Sequence, residues 1–217
     1  MKIIYILPLL IMSCLTPYEP QLDKGLPGDG DPITLVAELF TKTGYSDGKK
    51  VTTFLLNNNK YWSEHGYTLW AVDPGNAEEI FTAREVGLIK TSGNNLAGYG
   101  LVICQGLREG YGRTMLTIMI NTEQNYAIGK VIGANYQSIR PWVPTSYLWR
   151  GYGVKNQLKI TYDAGSKEFT LIVNGHEVEK FKDDTPPSHE GGVNGYIVVI
   201  SPQDRFPAVP VEVKFLE

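Results

Sequence analysis

The stretch FTLIVNGHEVEKFKDD, from Phe169 to Asp184, gathers the groups of this chain that could do acid–base chemistry within a short span: His176, Glu177, Glu179, Asp183 and Asp184. Two carboxylates act as acid and base, or as acid and nucleophile, when both reach one reacting atom. Lys180 and Lys182 flank this set, however, which is the composition of a solvated strand edge. No second His, Cys or nucleophile stands at catalytic spacing from His176, so His176 is read as a solvated residue beside a hairpin turn. His65, His176 and His189 are isolated and lack the short spacings of a zinc site. Neither a Gly-x-Ser-x-Gly elbow nor a phosphate-cradling glycine loop is present. The expectation is no catalytic residue and no cofactor. Calcium is the one metal with candidates, because the loops DPGNAEE and DDTPPSHE offer Asp73, Asn76, Asp183 and Asp184 as hard oxygen donors. Those residue types are equally ordinary in turns.

Aromatic residues make up 11% of the chain, enough to form binding platforms as well as core. The densest cluster is SIRPWVPTSYLWRGYG. Trp142 sits between Arg140-Pro141 and Val143-Pro144, and prolines argue against an interior strand, so its ring is expected to be presented from a loop. Tyr147, Trp149 and Tyr152 follow, with Arg140 and Arg150 as donors to hydroxyls or carboxylates. A second cluster, NNNKYWSEHGY, holds Asn57, Asn59, Tyr61, Trp62 and Tyr67. Rigid rings in loops can stack on the apolar face of a sugar, and the same rings can plug the ends of a sandwich. Trp70, inside the alternating run TLWAV, is expected in the core.

The elements that must position these residues are strands. From Ile33 onward the chain shows short runs with period-two alternation or β-branched enrichment, broken by Gly, Asn, Asp and Pro. Strands are expected at 33–41, 67–72, 84–91, 100–104, 114–121, 126–132, 157–163, 168–173, 176–181, 195–201 and 209–215. One short helix is expected in NAEEIFTARE, with Asn76 as cap and Glu78 and Glu79 in the first turn. Asn174-Gly175 between two alternating runs predicts a type I′ hairpin that pairs Val173 with His176 and Leu171 with Val178. Cys104, in GLVICQG, reads as a small core hydrophobe.

The order GYGLVIC, LTIMINTEQNYAIGKV, SYLWRGYG, KNQLKITYDAGSKEFTLIVNGHEVEKFKD, GGVNGYIVVIS and FPAVPVEVKF resembles the concanavalin A-like, laminin G-like jelly roll of many bacterial lipoproteins, including the domain of unknown function related to keto-disaccharide hydrolases. The resemblance covers 97–215. It implies a two-sheet antiparallel sandwich whose first strand, 33–41, lies beside its last, and a glycan role on the concave sheet or its rim loops. Retaining glucanases of this fold carry Glu-x-Asp-x-x-Glu on one strand, which places acid and nucleophile about 5 Å apart. That motif is absent here.

At the N-terminus, MKIIYILPLLIMSC has Lys2, an apolar run and small Ser13 before Cys14, the layout of an export signal. Its last four residues resemble a bacterial lipobox, which implies cleavage before Cys14 and acylation of its thiol. Residues 1–13 are then the signal, 14–32 a Pro- and Gly-rich tether, and 33–217 the folded domain. Leu15 lacks the Asp-type retention signal, so the outer membrane is the expected membrane. With 20 Lys and Arg against 23 Asp and Glu, and no basic block, nucleic acid is not an expected partner. The sequence therefore points to a lipid-anchored envelope protein that binds glycan. The alternatives are a structural or adhesive protein that binds a protein partner, and a hydrolase that recruits Glu177 or Asp183.

Overall fold

A computed structural model describes residues 42–46, 48–56, 67–78, 80–133, 135–184, 189–200 and 210–217. Among them every regular element is a strand: β1 (Lys42–Ser46), β2 (Lys49–Leu56), β3 (Tyr67–Glu78), β4 (Ala83–Ser92), β5 (Tyr99–Arg108), β6 (Gly112–Ile120), β7 (Asn125–Ile132), β8 (Asn135–Pro144), β9 (Lys155–Asp163), β10 (Glu168–Val173), β11 (His176–Phe181), β12 (Gly192–Ile200) and β13 (Val211–Leu216). They form two antiparallel sheets. One runs β1-β2-β13-β4-β9-β10-β11 and the other β3-β12-β5-β6-β7-β8.

Alternation explains why the sheets stack. Phe54 and Leu56 of β2, Val86 and Leu88 of β4, Leu158 and Ile160 of β9, and Phe169, Leu171 and Val173 of β10 meet Leu101 and Ile103 of β5, Leu116, Ile118 and Ile120 of β6, and Ile128 of β7 in one buried core. Each fully buried side chain of this size contributes about 1.5–3 kcal/mol. The other face of the seven-stranded sheet carries Glu85, Lys159, Thr170, Glu212 and Lys214 and is solvated. The other face of the six-stranded sheet differs: Val102, Met115, Met119, Ala127, Val131 and Ile197 form a second buried apolar cluster. Cys104 is buried in the main core, as expected of a small hydrophobe.

The Asn174-Gly175 hairpin is present with both turn residues at positive φ, 48° and 84°, and Val173 pairs with His176. Beyond the turn the register departs from the expected one. A bulge between Leu171 and Ile172 pairs Leu171 with Glu179 instead of Val178, although Val178 still packs against the core. The bulge carries Glu179 to the core side of β11.

Three strands were missed by the periodicity: β1, β2 and β8. It is β2, and not the expected 33–41, that lies beside β13, with Val211 paired to Leu56 and Leu216 to Val51. The strand expected at 33–41 lies outside the described residues. So do the signal, Cys14 and the tether. The expected helix at 76–85 does not form. Instead β3 runs to Glu78, paired with Gly192, and Phe81 enters the core 6.0 Å from the ring of Phe169. Cross-strand pairing and burial of one large ring outweigh the weak capping signal of Asn76. Trp142 is likewise not on a loop but in β8, the edge strand of its sheet, bonded on the β7 side only. Register shifts on either side of Ile128 leave Pro141 and Trp142 between ladder pairs, which is where an edge strand tolerates proline.

Candidate functional site

Strand ends converge at one end of the sandwich. The β4–β5 loop (93–98), the β6–β7 loop (121–124), the β8–β9 loop (145–154) and the Asn174-Gly175 turn are laced together there. Leu148 is the key to the longest loop. It is fully buried in the core, so its neighbours Tyr147 and Trp149 are driven outward. Asn156, itself buried, holds Trp149 from both sides: its Oδ1 accepts from Trp149 N at 2.8 Å and its Nδ2 donates to Trp149 O at 2.9 Å. Asn174 Nδ2 donates to Tyr147 O at 2.7 Å and to Asn156 Oδ1 at 2.8 Å. Gln124 Nε2 donates to Leu148 O at 2.6 Å. These contacts fix the loop backbone where no regular pairing reaches it.

The rings this scaffold presents are Tyr147, Trp149 and Tyr152, with relative exposures of 43, 58 and 45%, while Trp142, on β8, has 42%. All four therefore offer surface and do not simply close the sandwich. Tyr147 stacks on His176, ring centroids 4.4 Å apart and 11° from coplanar. Tyr152 donates its hydroxyl to Gly93 O. A Cβ at Gly98 would come within 3.0 Å of Trp142 and 3.1 Å of Met119 Sδ, so the Trp142 ring rests against that glycine and closes over the apolar outer sheet face. Of the second aromatic cluster, Asn57, Asn59, Tyr61 and Trp62 lie outside the described residues. Its flanking strands, however, end at this same end of the sandwich, since Leu56 pairs with Val211 and Trp70 of β3 with Ile197.

Both expected arginine donors are committed to carboxylates. Arg140 meets Glu179 in a two-pronged pair, Nε to Oε2 at 2.8 Å and Nη2 to Oε1 at 3.0 Å, and Tyr126 adds its hydroxyl to the same carboxylate at 3.0 Å. The Arg140 hydrogen bonds hold the Glu179 carboxyl below the usual range. Burial, then Glu179, push the Tyr126 hydroxyl up to about 12. Arg150 pairs with Glu123, which also accepts from Asn95 Nδ2 at 2.7 Å; the amide first and the guanidinium second keep this carboxyl low.

The remaining carboxylates form the solvated edge that their flanking lysines suggested only in part: Glu177 is exposed with Lys180 at 3.4 Å. Asp183 is buried and ion-paired with Lys130 at 2.6 Å, and Glu179 faces the opposite sheet, while Glu177 and Asp184 are exposed. Asp183 is thus held by an ammonium where the sequence allowed a calcium ligand. Asp73 and Asn76 fall within β3 and not in a loop, with Asp73 opposite Asn194. Sequence reasoning missed Asn95, Glu123, Asn156 and Asn174 as parts of this end. Asn156 carried a signal, because it shares the parity of Leu158 and Ile160 and so had to be a buried amide.

Two solved structures place this architecture. The carbohydrate-binding module CBM66 from Bacillus subtilis superposes with a TM-score of 0.52 at 12% identity, over 80% of this chain and 87% of that one. The β-glucanase of Bacillus licheniformis does so with a TM-score of 0.50 at 8% identity, over 80% and 78%. With the strand order above, they define the class of the chain: an all-β, concanavalin A-like jelly-roll sandwich of two antiparallel sheets. No family model matches the chain, and no curated protein matches it.

Proposed function

We propose that this chain is a membrane-anchored, non-catalytic module of the bacterial cell envelope that binds glycan through the aromatic loops at one end of its sandwich. The observation that carries the reading is the exposure of Tyr147, Trp149 and Tyr152 on a loop locked by Leu148, Asn156 and Asn174. Preorganised rings of this kind bind the apolar faces of sugars with little ordering cost. The loop end is favoured over a sheet face because the outer face of the six-stranded sheet carries a buried apolar cluster. The similar structures support the class, one being a carbohydrate-binding module by name and the other a glucanase. Against the hydrolase alternative, Asp183 is buried on Lys130 as a latch between the sheets, and Glu177 is exposed on the hairpin edge with Lys180 at 3.4 Å. Lipid attachment at Cys14 and outer-membrane residence rest on the lipobox.

A glycan-array screen of the purified full chain is the test. Specific binding that falls at least about tenfold in Trp149→Ala, with an unchanged melting profile, is the expected result. No binding across the array would overturn the reading and favour the adhesive protein that binds a protein partner.

A further inference from the structure

The rings give a sugar site its platform, and the polar groups beside them decide which sugars fit. Glu123 is the centre of a line of side chains: Asn95 Nδ2 donates to Oε1 at 2.7 Å and Arg150 pairs with Oε2. The line is fixed from below. Thr122 donates both N (3.1 Å) and Oγ1 (3.0 Å) to Asn95 O, and Asn121 Oδ1 accepts from Glu123 N at 3.0 Å. Gly151 N donates to Thr122 O at 3.0 Å, which joins the third loop to the other two. Trp149 and Leu96, both exposed, stand immediately beside Arg150 and Asn95 in the chain.

We infer that the line Asn95–Glu123–Arg150, on the same locked loops as Trp149, is a hydroxyl-reading subsite for a neutral glycan. The inference rests on the glycan-binding reading above and specifies its ligand class. A carboxylate accepts about four hydrogen bonds, and Asn95 and Arg150 supply two. A sugar hydroxyl both donates and accepts, so one of a vicinal pair donates to Glu123 while its neighbour accepts from the guanidinium or the amide. The ionised carboxylate of a uronate, or a sulfate group, cannot donate a hydrogen bond, and in this subsite it meets the charge of Glu123.

The other basic residues at this end lie in other contacts. Arg140 is engaged by Glu179, and Lys90 is buried with its ammonium on Asn94 O at 2.5 Å and Ala97 O at 3.0 Å. His176 lies under Tyr147, and Lys155 runs beside Gly87 on the solvated sheet face. The low carboxyl of Glu123 agrees with a site that keeps its acceptor charged.

Equilibrium binding of the purified full chain to neutral polysaccharides (a glucan, a galactan, a mannan) and acidic ones (polygalacturonate, heparan sulfate) tests this, with Glu123→Gln and Trp149→Ala compared at equal melting temperature. The expected result is binding confined to a neutral glycan, insensitive to salt, and weakened about tenfold by Glu123→Gln. Neutral-glycan binding unchanged in both Glu123→Gln and Asn95→Ala would overturn the subsite while leaving the glycan-binding reading intact. Preference for the acidic polymers would overturn the neutral class alone. Failure to bind either panel would overturn both.

Discussion

Two inter-sheet latches show how single residues set the stability of this sandwich. Lys130 shares the inward parity of Tyr126 and Ile128 on β7, and its ammonium meets Asp183 at 2.6 Å with both side chains buried. Removing one partner of such a pair leaves a charge in a low-dielectric interior. Lys130→Met is expected to cost about 3–5 kcal/mol in a urea melt; a loss under about 1 kcal/mol would mean that water replaces the ammonium. The second latch, Arg140–Glu179–Tyr126, titrates. Because the folded chain holds the Glu179 carboxyl below its ordinary value, about 4.3, its contribution is complete above that value and is lost as pH falls through the lowered one. Tyr126 works in the opposite sense: raised to about 12, it stabilises below its ordinary value and loses that contribution as pH climbs toward 12. Stability measured against pH should therefore fall at both limits. Glu179→Gln should flatten the acid limb, and an unchanged acid limb in that variant would remove Glu179 from the account.

At the level of elements, the β8–β9 loop behaves as a strand would, one residue in and its neighbours out, although it has no ladder. Leu148 supplies the inward anchor, and Asn156 replaces the missing ladder bonds around Trp149. Leu148→Ala is expected to cost about 2–5 kcal/mol through the cavity it leaves. Asn156→Ala should cost less, about 1–3 kcal/mol, because it orphans backbone groups at the margin of the core. Hydrogen exchange should report faster opening of 145–154 in both variants, with β5 and β6 unaffected. Opening spread over the whole sandwich would show that the loop is part of the global folding unit and not a mounted platform. The same scale accounts for the misplaced elements. Prolines at 141 and 144 mark loops in most sequences, yet an edge strand with register shifts accommodates them. NAEEIFTARE carries capping residues, yet pairing with β12 and burial of Phe81 extend the sheet across it.

For the whole molecule, the proposed function depends on where the aromatic end is held. If Cys14 is acylated, Cys14→Ser should move the protein from the membrane to the soluble fraction; retention that only detergent relieves would refute the lipobox. Much of the fold was legible from local order: the alternating runs, the Asn-Gly turn and the positions of most strands follow from side-chain parity and turn chemistry, which act over a few residues. The aromatic candidates were legible too, as residue types in proline- and glycine-rich surroundings. What the tertiary structure alone decided was pairing across distance. A strand bulge of one residue turned Glu179 from an apparent surface acid into a latch on Arg140, and three loops brought Asn95 to Glu123 and Arg150. Sequence by itself determines which side chains can reach a face, because that parity is a property of the local backbone. It leaves open which distant strand supplies the partner, because that choice is set by packing of the whole core.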